Sequence, residues 1–389
     1  MKIAIVLGRG VEGCGVTKYT VELETWLLNN SHSPTVYASK DKKWSRDGAH
    51  QIQNLIHVRF DRDDFDTVYE GCKNSDIIIF NSLPSVSHSI ECQNRFSTLL
   101  DLNVYKVFIQ HDHNKSSLRR NALLQDSYEK SDIIFAHSNT GDFADMVNTP
   151  NLFDMRERIV HLMQPGITFS NYKKYHKPVE EQDSKHHKWI GRTARWKNYD
   201  MMFDFHNNYL KTINHLTTFE GIDKSPVFME FKERNVFFDE VTSKIDDVDL
   251  SSRYGLDATV FGNYDNTNML HRMSKCGFGY QLSLLDKRFI KKSLEFTHLE
   301  IVATGAIPVF RKEYGDICIH RYYDKPLTEL DSGTIWLSND NMEECKGLIN
   351  ELSNDDSLRD EYRNKAFEFY SYYDSKYVMG DMMKIIEGF

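Results

Sequence analysis

The sequence has little of what marks several common classes of protein. It contains only 8 prolines in 389 residues and no low-complexity tract, so no Pro-rich or repetitive segment is expected. Its 6 cysteines are scattered, and neither a CxxC pair nor a Cys/His zinc spacing occurs among them. We therefore expect reduced thiols in a cytoplasmic protein rather than a disulfide framework or a zinc site.

Long apolar runs and an excess of positive charge are also missing. No stretch approaches the roughly 20 apolar residues of a membrane helix, and the short apolar start leads directly into a glycine loop. We therefore expect neither a membrane span nor a signal peptide. The formal net charge of −9 argues against a protein that coats nucleic acid or membrane everywhere. It does not exclude a local basic face, because affinity for phosphates depends on the charge near them.

The length and the apolar content predict two domains. A chain of 389 residues is too long for one compact core, and 40% hydrophobic residues can fill substantial cores. In the first half, apolar runs alternate with segments of helical periodicity such as 17–30 and 118–130. The predicted strands are 2–7, 35–39, 76–82, 104–110, 132–138 and 159–165. This alternation predicts a parallel sheet covered on both faces.

After a polar stretch the alternation begins again. Strands are predicted at 188–193, 258–264, 277–283, 306–311 and 334–338, with helices at 199–210, 340–353 and 357–389. We predict an α/β fold of two doubly wound domains that face each other across a cleft, with a C-terminal helical tail. The expected boundaries are 1–170 for the first domain, 171–187 for a linker, 188–360 for the second domain and 361–389 for a tail that packs back towards the first domain.

A glycine-rich loop follows the first predicted strand. Gly8, Gly10 and Gly13 form the pattern G-x-G-x-x-G, and Gly15 follows closely. The pattern is compatible with a dinucleotide site or with a tight turn that binds nothing. Glu12 argues against a pyrophosphate, because it brings negative charge into the loop. We favour a loop whose backbone approaches a sugar or a phosphate, with Gly13 and Gly15 as the candidate contacts.

The segment GRTARWK places two cations after the first strand of the second half. Arg192 and Lys197 lie in a predicted strand-to-helix loop next to a helix N-terminus. Fixed positive charge and the helix dipole suit a diphosphate at that position. The alternative is a pair of exposed basic side chains.

The segment KKSLEFTHLEIVATGAIPVF carries two carboxylates. A regular helix would rotate Glu295 and Glu300 about 140° apart, so they cannot both face one ligand from within it. Glu295 is therefore expected before the helix begins and Glu300 inside it, where a carboxylate can accept hydrogen bonds from both ribose hydroxyls. The alternative is two solvated glutamates on an amphipathic helix.

The segment IQHDHNKSSLRRN ends a predicted strand with polar side chains. Adjacent residues of a strand alternate between faces, so one metal ion is not expected to bind His111, Asp112 and His113 together. We favour His111 and Asp112 as polar contacts to a sugar and its acceptor, against histidines that have no function. Arg119 and Arg120 open the following helix.

The motifs together resemble those of one family. The segments that carry the resemblance are, in chain order, RGVEGCGVTKYT, QHDHNKSSLRRN, WIGRTARWK, MSKCGFGYQLS and SLEFTHLEIVATGAIPVF. They are similar to the bacteriophage DNA α-glucosyltransferases, which modify 5-hydroxymethylcytosine in viral DNA. The match spans most of the chain and is poor at 140–185 and 236–258. The resemblance implies a GT-B fold of two Rossmann-like domains, with the nucleotide-sugar held mainly by the second.

The resemblance also implies a reaction and a set of roles. It implies transfer, with retention, from a UDP-sugar donor, above all UDP-glucose, to 5-hydroxymethylcytosine flipped out of double-stranded DNA. Arg192, Lys197 and Glu300 match the diphosphate-binding and ribose-binding residues of retaining GT-B enzymes. The candidates are His111, Asp112 and Glu295 for catalysis, Gly13, Gly15, Arg192, Lys197 and Glu300 for donor binding, and His113, Arg119 and Arg120 for DNA binding.

The same resemblance sets expectations for cofactors and surroundings. Because two cations would stabilise the departing UDP, no tightly bound metal is expected, although a divalent ion could stimulate the reaction. Either Asp112 or the donor phosphate would take the acceptor proton. We expect a monomer without membrane contact, in the cytoplasm of the infected bacterial host.

Other hypotheses remain open at this point. Another UDP-sugar such as UDP-arabinose could be the donor, or an already glycosylated base the acceptor, because the motif residues contact the UDP part. Outside this class, a dinucleotide-dependent oxidoreductase or a non-catalytic DNA-binding protein remains as an alternative.

Overall fold

The structure, a computed structural model, contains two parallel sheets with helices packed against them. It describes residues 1–8, 15–39, 52–62, 64–84, 89–111, 122–136, 160–190, 197–220, 266–284 and 293–388. The described strands are β1 (Lys2–Leu7), β2 (Ser33–Ser39), β3 (Leu55–Val58), β4 (Ile77–Ser82), β5 (Tyr105–Gln110), β6 (Ile133–Ala136), β7 (Val160–Leu162), β8 (Asp183–Ile190), β9 (Leu216–Glu220), β10 (Cys276–Gln281), β11 (Ile307–Arg311) and β12 (Ile335–Leu337).

Helices connect most of these strands. The described α-helices are α1 (Gly15–Asn29), α2 (Phe65–Lys73), α3 (Ile90–Leu100), α4 (Ala122–Lys130), α5 (Phe169–Tyr172), α6 (Tyr199–Asn208), α7 (Asn266–Met273), α8 (Phe296–Ala303), α9 (Lys312–Ile317), α10 (Met342–Asn354), α11 (Asp356–Tyr370) and α12 (Ser375–Glu387). Short 3₁₀ turns occur at Lys173–Tyr175, Val179–Glu181, Leu210–Ile213, Leu327–Glu329 and Ser371–Tyr373.

Both sheets have the strand order of a doubly wound fold. The first is seven-stranded, in the order β3-β2-β1-β4-β5-β6-β7, and the second is five-stranded, in the order β12-β11-β10-β8-β9. Every described pair of neighbouring strands is parallel. The strand order reverses between β1 and β4 in the first sheet and between β8 and β10 in the second. Such reversal points are where ligands bind in open α/β sheets.

The packing divides the chain into two units. Unit 1 combines the described residues of Met1–Gly166 with those from Ser375 onwards, and unit 2 holds most of those between them. The predicted α/β fold, with two sheets and a helical C-terminus, is confirmed. The expected tail, 361–389, is shared between the units, because α11 packs in unit 2 and α12 in unit 1.

The core of unit 1 follows from strands that are apolar on both faces. Val6, Phe80 and Phe108 pack in one cluster with residues of α2, α3 and α4, and all three are at most 1% exposed. Their neighbours Ile5 and Ile79 point to the opposite face and are equally buried. Continuous apolar runs of this kind are expected in a parallel sheet covered on both faces.

Unit 2 has a separate cluster on each face of its sheet. Trp189 and Val309 lie in one cluster together with residues of α6 and α10. Ile190 and Phe310, the next residues along the same strands, lie in the other cluster with residues of α8 and α11. The alternation along β8 and β11 therefore fills both layers at once.

Helix α12 packs on α1, the first helix of the chain. The Tyr19 hydroxyl donates to Met382 Sδ at 3.1 Å, and the Ser375 hydroxyl donates to Glu22 Oε2 at 2.6 Å. Trp26 Nε1 donates to the carbonyl of Lys376 at 3.1 Å. The last helix thus supplies part of the covering layer of unit 1.

Several elements differ from the sequence prediction. Strand β8 begins at Asp183 rather than at Lys188, so the expected linker 171–187 contains its first residues as well as helical turns. Strands β3 and β9 were not predicted. The predicted closing helix 357–389 is two helices, α11 and α12, separated by a 3₁₀ turn. The predicted strand at 258–264 lies outside the described residues.

Buried polar side chains on and around β8 and β9 contact one another. His187 Nδ1 lies 2.7 Å from the Tyr280 hydroxyl, and His187 Nε2 lies 2.8 Å from His215 Nδ1. His206 Nδ1 lies 2.9 Å from Thr217 Oγ1 on β9. Each imidazole is at most 5% exposed. Polar residues are accommodated in this core because they bond to each other.

Candidate functional site

The candidate site in unit 2 centres on the carboxylate of Glu295. This carboxylate forms an ion pair with the ammonium group of Lys197. Gln281 Nε2, at the end of β10, donates to the same oxygen, Glu295 Oε2, at 2.5 Å. Three elements that are distant in sequence therefore meet at the end of β8 and β10, where the order of the second sheet reverses.

The orientation of Gln281 is fixed by Ser283. The Ser283 N–H donates to Gln281 Oε1 at 2.7 Å, which leaves the amide nitrogen for Glu295. Gln281 Nε2 also contacts the Ser283 hydroxyl at 2.8 Å. Gln281 is 2% exposed, so its amide is held in place by these contacts.

Lys197 and Glu295 are only partly shielded from solvent. Their side chains are 15% and 23% exposed, respectively. An ion pair in such a position is stronger than one on the open surface, and each charge compensates the other. Burial, and secondly the Glu295 carboxylate, raise the pKa of the neighbouring Tyr314 well above its ordinary value of 10.0, so this hydroxyl stays protonated.

Glu295 immediately precedes α8 in extended conformation, as the spacing of the two glutamates predicts. Its N–H donates to Nδ1 of His298, the third residue of the helix, at 3.1 Å. A carboxylate at this point is stabilised by the helix dipole. Glu300 lies inside α8, more than one turn along, and is 7% exposed.

The position of α8 is fixed from its other end by α11. The Arg363 guanidinium donates from Nε to the carbonyl of Gly305, two residues beyond α8, at 2.6 Å. It also donates to the Lys177 carbonyl and contacts Asp360 Oδ1 at 3.1 Å. Gly305 has a φ of +80°, and a Cβ there would lie 2.7 Å from Arg363 Nη2, so glycine is required.

A second polar cluster lies at the carboxyl ends of the strands of unit 1. His111, the residue after β5, contacts Asn81 of β4 through Nε2 and Oδ1 at 2.7 Å. Asn81 Nδ2 donates to Thr20 Oγ1 at 2.6 Å and lies 3.3 Å from the Val16 carbonyl, both on α1. Tyr19 packs edge-on against the His111 ring, with centroids 5.5 Å apart. This cluster occupies the reversal point of the first sheet.

The turn after β1 passes close to this cluster. The Gly8 N–H donates to the Ser82 carbonyl at 2.9 Å. A Cβ on Gly8 would lie 2.5 Å from Pro84 Cδ, so any larger residue would push the turn away from β4. Gly15, one of the predicted donor contacts, is the exposed first residue of α1.

The structure brings two of the predicted site residues into direct contact and places a third in another cluster. Lys197 and Glu295 are in direct contact, whereas His111 belongs to the separate cluster of unit 1. Gly13, Asp112, His113, Arg119, Arg120 and Arg192 lie outside the described residues. Gln281, Asn81 and Thr20 were missed, although a polar residue at the end of an apolar strand run, as in DIIIFNS and GFGYQLS, indicates the first two.

Among the described residues, no three His, Cys, Asp or Glu side chains are grouped so that they could hold a metal ion. No helix in the described part of the chain is both long enough and apolar enough for a membrane crossing.

Comparisons with known proteins identify the family. The sequence profile of the family described as DNA alpha-glucosyltransferase matches residues 14–357. The DNA alpha-glucosyltransferase of Enterobacteria phage T4 is 38% identical over 400 residues, which cover 99% of this chain and 100% of that protein.

Solved structures agree with this assignment. An alpha-glucosyltransferase in complex with UDP and a 13-mer DNA containing an HMU base has a TM-score of 0.85 and 36% identity, covering 100% of this chain and 99% of the other. An alpha-glucosyltransferase in complex with UDP-glucose and DNA containing an abasic site has a TM-score of 0.85 and 36% identity, covering 99% of each chain. The GT-B fold implied by the motifs is thereby confirmed. The match to the family profile covers most of the chain, and the match to the phage T4 protein covers nearly all of it. The chain therefore belongs to the DNA alpha-glucosyltransferase family.

Proposed function

We propose that this protein transfers glucose from UDP-glucose, with retention, to 5-hydroxymethylcytosine in double-stranded DNA. The observation that carries the proposal is similarity over the full chain to proteins solved with UDP, with UDP-glucose and with DNA containing an HMU base. A base that is stacked in a duplex cannot enter an active-site pocket, so the base has to be flipped out, at a cost of a few kcal/mol.

The cluster around Glu295 is the proposed donor site. Lys197, together with Arg192, would bind the diphosphate and stabilise the negative charge that grows on departing UDP. Glu295, oriented by Gln281, would accept hydrogen bonds from sugar hydroxyls, and Glu300 would bind the ribose. The ion pair between Lys197 and Glu295 supports this assignment, because it places a cation for the phosphates next to an acceptor for the sugar hydroxyls.

The residues after β1 and β5 are the proposed contacts to sugar and acceptor. His111 would orient the sugar hydroxyls, and Asp112 or the leaving phosphate would take the acceptor proton. Gly13 and Gly15 would allow the loop backbone to approach the donor. His113, Arg119 and Arg120 would contact the DNA. The proposed setting is the cytoplasm of the infected host, where the protein acts as a monomer without a tightly bound metal.

A donor assay tests the proposal. The protein is incubated with UDP-glucose or UDP-arabinose and with DNA that contains cytosine, 5-hydroxymethylcytosine or its glucosylated form, and the nucleosides are weighed by mass spectrometry. A hexose adduct only with UDP-glucose and hydroxymethylated DNA supports the proposal. An adduct with a different combination of donor and DNA would show that this donor or acceptor is the true substrate. If no combination gives an adduct, the proposed function is wrong.

A pair of lysine variants tests the site in the same assay. Lys197→Ala is expected to lower kcat/KM about a hundredfold while leaving DNA affinity intact, because it removes charge stabilisation at the leaving group. Lys185→Ala, an exposed lysine of β8, is the matched control and should have wild-type activity. Equal losses in the two variants, or a parallel loss of DNA binding in Lys197→Ala, would contradict the assigned role.

A further inference from the structure

The contacts around His111 form a chain of hydrogen bonds with one direction. The chain begins at the backbone carbonyl of Val16, which can only accept. The Thr20 hydroxyl donates to this carbonyl at 2.9 Å, so its oxygen is left to accept from Asn81 Nδ2 at 2.6 Å. Both acceptors lie on the same side of Asn81, which places its amide nitrogen towards α1 and its carbonyl oxygen towards His111.

The direction of the chain determines which nitrogen of His111 carries the proton. Asn81 Oδ1 has no hydrogen to donate, and it lies 2.7 Å from His111 Nε2. A hydrogen bond at that distance requires a proton on Nε2. In the neutral ring, the other nitrogen, Nδ1, then carries the lone pair.

The burial of Asn81 indicates that this arrangement serves more than packing. It follows the apolar run Ile77–Phe80 of β4, and both Asn81 and Thr20 are 0% exposed. A primary amide in such a place is costly unless its donors and its acceptor are all bonded. An apolar residue would fill the strand without that requirement, so packing alone does not account for the amide.

The ring is also held by packing. The buried Tyr19 side chain meets His111 at an interplanar angle of 75°, and its hydroxyl is turned away to Met382 Sδ. Burial raises the pKa of Tyr19 above its ordinary value, so this side chain remains neutral beside the imidazole. Tyr19 therefore restricts the tilt of the ring, while Asn81 sets its proton.

We propose that Asn81 and Thr20 are positioning residues that fix the proton of the neutral His111 ring on Nε2 and so orient the ring for its part in the reaction. The inference rests on the proposed function for the role of His111 in the reaction. Its structural part, the position of the proton, is independent of any activity.

The tautomer is measured directly in long-range ¹H–¹⁵N spectra of the protein labelled with ¹⁵N-histidine, in which protonated and unprotonated ring nitrogens have distinct shifts. The His111 signals are assigned as those lost in His111→Gln. The expected result for the wild-type protein is a protonated Nε2 and an unprotonated Nδ1. A protonated Nδ1 in the neutral ring overturns the inference.

Substitutions of Thr20 and Asn81 then test whether their hydrogen bonds determine the tautomer of His111. Thr20→Val removes the nearer acceptor of Asn81 Nδ2 at nearly constant volume and leaves only the Val16 carbonyl, at 3.3 Å. The amide is then held less firmly, so the second tautomer should become partly populated. Asn81→Asp keeps an acceptor for Nε2–H and adds negative charge, so it should retain the tautomer and raise the pH at which His111 titrates. Thr98→Val, which removes a hydroxyl–carbonyl bond on the exposed side of α3, is the matched control and should leave the spectrum unchanged.

Activity completes the test and separates this inference from the proposed function. In Thr20→Val, kcat for glucose transfer should fall about tenfold with little change in KM, and Thr20→Ser should restore it. An unchanged tautomer and unchanged kcat in Thr20→Val would overturn the inference. If the wild-type protein transfers no sugar, the proposed function fails, but the spectra still decide the position of the proton.

Discussion

Lys197 and Glu295 are 98 positions apart in sequence and form an ion pair in the candidate donor site. In the proposed reaction the cation has to bind a diphosphate and the carboxylate has to bind a sugar. The pair therefore keeps two charges compensated in the absence of donor, and donor binding has to exchange this contact for others. Breaking the ion pair costs free energy, and substitution of Glu295 makes this cost measurable.

We first predict that Glu295→Gln binds UDP more tightly than the wild-type protein and transfers glucose more slowly. Lys197 no longer has to leave a carboxylate, which is worth about 1 kcal/mol or roughly a fivefold lower Kd. UDP lacks the glucose of the donor, so the lost contact to glucose hydroxyls does not affect its binding. Calorimetric titration with UDP measures the change. Glu313→Gln, which breaks a more exposed ion pair with Arg311 in the same unit, is the control, and weaker UDP binding in Glu295→Gln would refute the idea.

Gln281 provides the second prediction. Gln281→Leu removes the amide that donates to Glu295 at 2.5 Å while keeping most of the buried volume. Loss of this hydrogen bond to a charged group should lower kcat/KM for UDP-glucose by about tenfold. Steady-state kinetics measure the effect. Ser283→Ala should reproduce only a small part of it, because it removes the hydroxyl that contacts Gln281 Nε2 and keeps the backbone N–H that donates to Gln281 Oε1. Wild-type kinetics in Gln281→Leu would show that Glu295 does not need this partner.

The third prediction compares two basic residues of α11. The side chain of Arg363 is 1% exposed and bonds the Gly305 and Lys177 carbonyls, so Arg363→Ala should cost about 3–5 kcal/mol of stability. Lys365 forms an ion pair with Asp331 but is 37% exposed, so Lys365→Ala should cost about 0–1 kcal/mol. Denaturant unfolding measures both. Similar losses in the two variants would show that the carbonyl contacts of Arg363 contribute little.

The fourth prediction concerns pH and the histidines of β8 and β9. Burial, and secondly the charge of His215, lower the pKa of His187 well below 6.5, and burial followed by the charge of Lys185 lowers that of His215 to about 4. The unfolded chain binds protons at these sites near pH 6.5, whereas the folded protein does not. Their stabilising contribution is therefore complete above about pH 6.5 and is lost as the pH falls towards 4.

Unfolding midpoints at about pH 7.5 and about pH 5 test this expectation. The wild-type protein should lose stability at the lower pH, and His215→Asn should lose less of it because one titrating group is gone. His271→Gln replaces an exposed histidine of unit 2 and should retain the wild-type dependence. A pH dependence in His215→Asn as steep as in the wild type would exclude His215 as a source.

The sequence predicts the strands that consist of apolar residues, but not the strands that contain buried polar residues or are very short. Strand β9, LTTFE, contains the buried residues Thr217 and Thr218, whose partners are His206 and His186. No periodicity reveals such strands, because each polar side chain is accommodated by a partner in another element. The four-residue strand β3 is too short for a periodic pattern.

The same reason limits prediction of the site. The spacing of Glu295 and Glu300 was enough to place one before the helix and the other inside it. The ion pair with Lys197 depends on which strands are neighbours in the second sheet, and Gln281 acts through a side-chain orientation that Ser283 determines. Motifs therefore located the residues, whereas their partners required the three-dimensional arrangement.

The packing of α12 on α1 has a consequence for how the protein is made. A ribosome releases the N-terminal sheet long before it reaches Ser375, so the sheet lacks this covering helix until α12 has also been synthesised. A recombinant fragment that stops near Gly166 would leave the side of α1 that carries Tyr19, Glu22 and Trp26 without this cover. Separate production of the two halves of this enzyme therefore requires α12 to be fused to the first half.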